Sequence, residues 1–118
     1  MTNVLRVQFI SVEEGPDFSV NFALWPRAHD TLALLRSPHV EYTLSEEDRG
    51  ISVPPLDVAD QARDLLQALS WGDSFVVIRT ERHRYQLDVS NVEPEDIAAA
   101  KEVLRQMSVD GTAPITWV

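Results

Sequence analysis

The chain of 118 residues contains no cysteine. That excludes disulfides, thiolate metal sites and cysteine nucleophiles at once. Glycine is nearly as scarce, at four residues, which leaves neither a glycine-rich loop to cradle phosphate nor a nucleophile elbow. Lysine occurs once, as Lys101, beside nine arginines. No apolar run approaches the roughly 18 to 20 residues that a membrane span needs. Met1 to Gln8 show neither an uninterrupted hydrophobic segment nor a small-residue cleavage site, so a cytoplasmic protein without a membrane partner is expected.

What is present describes an ordinary globular chain, 44% hydrophobic and 25% charged, of a length that fits one domain over residues 1–118. Acidic residues outnumber basic ones 19 to 10, a net charge of −9. Residues 1–50 hold eight acids and four bases and residues 51–118 hold eleven and six, so the excess is spread through the chain. Such a field repels phosphate backbones and speeds encounter with a basic partner. A protein partner is expected, and nucleic acid is not. Solubility alone accounts for most acidic surfaces of this kind.

Alternation sets the expected strands. Leu5, Val7 and Phe9 alternate with Arg6 and Gln8 over Val4 to Val12, and Phe18, Val20, Phe22 and Leu24 repeat the pattern after the turn Glu13 to Asp17. A second pair is read at Val40 to Ser45 and Ile51 to Val53, where Pro54 and Pro55 mark a short edge strand. A third pair is Ser74 to Ile78 and Tyr85 to Val89, and Ile115 to Val118 reads as a last strand.

Three helices are predicted, starting near 26, 57 and 94. Ala28, Thr31, Leu32 and Leu35 fall on one face after Pro26, and Ser37-Pro38 stops that helix. Asp57 caps the second, lined by Val58, Ala62, Leu65, Leu66 and Leu69 and ended by Gly72. Pro94 opens the third, with Glu93, Glu95 and Asp96 at its positive end and Ile97, Ala100, Leu104 and Met107 on its stripe. The expected fold is therefore α+β: a mainly antiparallel sheet of about six or seven strands, three helices on one face, and the order ββα-ββα-ββα-β. The helix starts recur at intervals of about 31 and 37 residues, the length of a repeat unit, although the units share no residue identity to speak of.

No catalytic constellation assembles from these residues, so an enzyme is not expected, nor is a cofactor or metal. His29, His39 and His83 lack metal-ligand spacing and a nearby nucleophile, and they read as solvated surface residues. Two loops gather acids instead: Glu13, Glu14 and Asp17 in the first hairpin, and Glu46, Glu47 and Asp48 in the second. Side by side they form an acidic patch for a basic groove. The third tip carries Arg79, Arg82 and Arg84 and lacks the Asn-Gly or Asp-Gly that a tight hairpin prefers. If the three tips lie together, that end of the domain is polarised and is where a partner is expected.

The run from Glu95-Asp96-Ile97-Ala98-Ala99-Ala100-Lys101 through Gly111-Thr112-Ala113-Pro114-Ile115-Thr116-Trp117 resembles the C-terminal end of immunity proteins from bacterial polymorphic-toxin systems. The resemblance covers the C-terminal third only. It implies a small acidic protein that neutralises a cognate toxin, such as a basic toxin domain, without catalysis. The alternative from composition is an adaptor or subunit that assembles through a sheet edge, with the strand before Pro54 as the edge, or through a helix face. A small-molecule binder would instead show a pocket lined by Phe22, Tyr42 and Tyr85.

Overall fold

A computed structural model describes residues 4–27, 30–56, 63–111 and 113–117. Seven strands form one mixed sheet: β1 (Val4–Glu13), β2 (Phe18–Leu24), β3 (Thr31–Arg36), β4 (Leu66–Trp71), β5 (Phe75–Thr80), β6 (Arg84–Asp88) and β7 (Ile115–Trp117). Their spatial order is β3-β2-β1-β6-β5-β4-β7. β1 pairs with β6 in parallel, as does β4 with β7, and the other neighbours are antiparallel. The chain has one α-helix among the described residues, α1 (Pro94–Met107), and two short 3-10 turns at Pro38–Thr43 and Glu46–Asp48.

This corrects the expectation of three helices in a ββα-ββα-ββα-β order. The stretch read as the end of the first helix is β3, where Leu32, Leu34 and Arg36 alternate into the interior. The end of the second predicted helix is β4. A bulge between Leu66 and Ala68 shifts the register, so the buried positions fall at Leu66, Leu69 and Trp71. One extra residue in a strand thus converts a period of two into the i, i+3 spacing of a helix. The bulge between Val7 and Phe9 acts likewise in β1, burying Val7 and Ile10 and turning Phe9 outward. The predicted helix positions Ala28, Asp57, Val58 and Ala62, together with His29, lie outside the described residues.

The second predicted hairpin is absent. Residues 38–48 are 3-10 turns, and Ser52 is bridged on both sides, to Leu35 and to Leu65. The segment before Pro54 is therefore no free edge. Leu35 and Ser52 exchange backbone hydrogen bonds at 2.9 and 2.7 Å, while Val53 N–H reaches the Asp64 carbonyl and Leu66 N–H the Ile51 carbonyl. These links join the β3 edge to the start of β4 and curl the sheet round on itself. Phe22 on β2 accordingly meets Trp71 on β4 with ring centroids 6.2 Å apart, although three strands separate them in the sheet order. The interior is one apolar cluster that includes Val7, Val20, Leu34, Ile51, Ile78 and Leu87.

Helix α1 lies across one mouth of this curled sheet. Its buried stripe is Ala100, Val103, Leu104 and Met107. Arg36, at the end of β3, donates to the Met107 carbonyl. The Lys101 ammonium stands 5.6 Å above the Trp71 ring at the end of β4, and Gln106 reaches Glu14 in the β1–β2 turn. Gly111, at φ +74°, adopts the left-handed conformation that turns the chain from α1 back to β7.

Candidate functional site

Residues 38–48 run along the outside of the molecule without burying a side chain in either 3-10 turn. What holds them is a buried guanidinium. Arg36 donates to both oxygens of Glu41, to both oxygens of Asp110 and to the Met107 carbonyl. The hydrogen bond to Asp110 is the largest influence on Arg36, burial opposes it, and Glu41 adds to it; the net effect raises its pKa and keeps it charged. At one end of the segment His39 Nδ1 lies 3.0 Å from the Pro16 carbonyl and 3.7 Å from Asp17. At the other, Asp48 pairs with Arg63 just ahead of β4. Between these anchors Val40, Tyr42 and Leu44 face solvent, with Tyr42 78% exposed.

The two acidic loops are therefore joined rather than adjacent. Asp17, in the turn that also carries Glu13 and Glu14, meets one end of the exposed apolar strip at His39, and Glu46 and Glu47 follow its other end. A cleft of about 380 Å³ opens alongside, with walls from Leu35, Val40, Leu44 and Leu65 and a rim that includes Asp48 and Arg63. The strip offers an aromatic side chain, a recess for an apolar one and carboxylates at both ends. Burying an anchor residue centrally while a polar rim excludes water is the anatomy of a protein interface.

The third tip lies elsewhere. Because β1 and β6 are parallel while β5 and β6 form a hairpin, the β1–β2 and β5–β6 turns project from opposite ends of the sheet. The structure does not gather Arg79, Arg82 and Arg84 with Glu13, Glu14 and Asp17. Arg79 and Arg84 instead stand opposite one another on β5 and β6.

The β5–β6 turn has no glycine, and no described non-glycine residue adopts positive φ, so it is not the usual two-residue hairpin turn. A buried carboxylate organises it instead. Asp64 accepts from the Thr80 hydroxyl at 2.6 Å, the Arg82 N–H at 3.1 Å and His83 Nδ1 at 2.9 Å. The Thr80 hydroxyl oxygen in turn accepts from the Arg82 and His83 amides. Burial pushes the Asp64 carboxyl up, but the hydrogen bonds from His83, Thr80 and Arg82 together outweigh it and hold it below the usual carboxylate range. His83 is thus not the freely solvated residue expected; its ring bonds Asp64 and stacks on Tyr85 with centroids 5.7 Å apart.

Phe22, Tyr42 and Tyr85 share no cavity: Phe22 is buried in the interior, Tyr42 projects into solvent and Tyr85 packs under His83. A larger recess of about 490 Å³ lies at the mouth away from α1, lined by Leu5, Leu24, Trp25, Thr31, Pro55 and Leu56 among others. Among the described residues no group of three histidines or carboxylates is placed to hold a metal ion, and no helix is long and apolar enough to cross a membrane. No family model matches the chain, and neither a curated protein nor a solved structure matches it.

Proposed function

We propose that the protein is a non-catalytic binding protein that captures a basic protein partner on the strip formed by residues 38–48, as an immunity protein or antitoxin captures the toxin it neutralises. One observation carries the reading: Val40, Tyr42 and Leu44 are exposed in a segment that buries nothing of its own in its 3-10 turns, yet is fastened by the buried Arg36–Glu41 pair. An apolar side chain of the partner enters the cleft beside Leu35 and Leu65. Basic side chains around it meet Glu13, Glu14 and Asp17 at one end and Glu46 and Glu47 at the other. The net charge of −9 steers the encounter, while Tyr42 and the cleft set the lifetime of the complex.

The test is co-expression with a candidate basic protein, taken from an adjacent gene where one encodes it. A complex should form whose affinity falls as salt is raised. Tyr42→Ala should weaken it about tenfold or more. Glu46→Lys with Glu47→Lys should weaken it at low salt and flatten the salt dependence. A complex indifferent to all three substitutions places the interface elsewhere and ends this reading.

A further inference from the structure

We infer a second, separate site: an oxyanion-binding patch on the outer face of the sheet beside the β5–β6 turn, suited to the phosphate group of a small phosphate monoester. Arg79 and Arg84 are register partners, and at the next position the Thr80 N–H donates to the His83 carbonyl. The two arginines therefore occupy a non-hydrogen-bonded pair, the arrangement in which facing side chains stand closest. Like charges directly opposite destabilise a sheet. Nothing nearby relieves them, since neither guanidinium has a carboxylate partner among the described residues.

The surroundings are equally selective. Across the sheet the row through the arginines continues to Ala68, and the next row reads Gln86, Val77, Ser70 and Thr116. Both rows are free of acids on a chain that carries 19 of them. Ala68 leaves space beside Arg79, opening a shallow depression of about 190 Å³ that the Ser70 and Thr116 hydroxyls border. Two guanidinium groups and two hydroxyls line this depression as possible donors. A phosphate monoester answers them with about two negative charges and three acceptor oxygens. A phosphodiester offers about one charge per group and draws a polyanion into the field of a chain at −9, which disfavours nucleic acid.

The experiment titrates the full-length chain with phenyl phosphate at constant ionic strength and follows the arginine Nε–H signals by NMR. The Arg79 and Arg84 signals should shift and saturate. Arg79→Gln and Arg84→Gln should each weaken binding about tenfold or more, as loss of a hydrogen bond to a charged group does. Both side chains are exposed, so each variant should keep its amide spectrum away from β5 and β6. Lysine at both positions keeps the charge and loses the fork, and it too should bind more weakly. An equal response to chloride at the same ionic strength, or undiminished affinity in the glutamine variants, overturns the site. Tighter binding of a single-stranded oligonucleotide than of phenyl phosphate overturns the ligand class.

Discussion

Asp64 shows how one side chain can replace a preferred turn sequence. Glu81 and Arg82 at the β5–β6 tip have neither the flexibility of glycine nor a left-handed backbone, so the turn needs an acceptor from outside, and the carboxylate ahead of β4 supplies it. Asp64→Asn should cost about 2 to 4 kcal/mol at neutral pH, because a buried group then faces donors that it cannot fully satisfy. The pH dependence follows from the lowered carboxyl pKa. The unfolded chain binds this proton more readily, so the contribution is complete above about pH 4 and is lost as pH falls through the lower folded value. Denaturant titrations from neutral pH into acid should show a shallower acid-side loss in Asp64→Asn; identical slopes for both proteins would exclude this role. The sequence signals that the turn lacks its usual residues. It gives no sign that the missing acceptor stands 16 to 19 positions upstream, where the chain reads as helix.

Among the elements, legibility tracked how cleanly the period was kept. β2 alternates without interruption and β5 and β6 follow the same rule, while α1 announces itself by Pro94 and a stripe at helical spacing. β1 reads as a strand despite its bulge, whereas the bulge in β4 mimics helical spacing and β3 is so apolar at Leu32 to Leu35 that two periods fit it equally well. Of the candidate site, the acidic loops could be recognised as loops. The fastening of residues 38–48 could not, because the Arg36–Glu41–Asp110 cluster joins residues up to 74 positions apart. That cluster defines an element-level prediction. Glu41→Ala leaves Arg36 buried with Asp110 as its remaining carboxylate partner and should cost about 1.5 to 3 kcal/mol, the loss of hydrogen bonds to a charged group. Amide exchange should quicken first over Val40 to Asp48 while β1, β2 and β5 stay protected. Uniform acceleration through the sheet would show instead that the segment is part of the global folding unit.

At the scale of the whole molecule, the bridges through Ser52 cover the end of β3 at Leu35 and tie it to the start of β4, which shortens the open edge on that flank. A net charge of −9 works against this compact form. Beyond the Arg36 cluster and Asp48–Arg63, the ion pairs Arg27–Asp30 and Arg105–Glu102 are local and exposed, and such pairs contribute little. Raising sodium chloride from about 20 to 200 mM shortens the screening length from about 20 Å to below 10 Å and should raise the melting temperature. A melting temperature that falls over this range would mean that attractive pairs outweigh the repulsion.

The antiparallel and parallel pairings also sort charge by position. The turns after β1 and β4 and the approach to α1 leave the sheet in one direction, carrying Glu13, Glu14, Asp17, Asp73, Glu93 and Glu95. The turn after β5 leaves in the other with Arg82, beside Arg79 and Arg84. Besides its net charge, the molecule therefore carries a cluster of acidic turn residues at the helix end of its strands and three arginines at the other, where Glu81 and the buried Asp64 offset part of their charge. A basic partner of the kind proposed would be drawn first to the helix-covered end, with the arginine hairpin facing away.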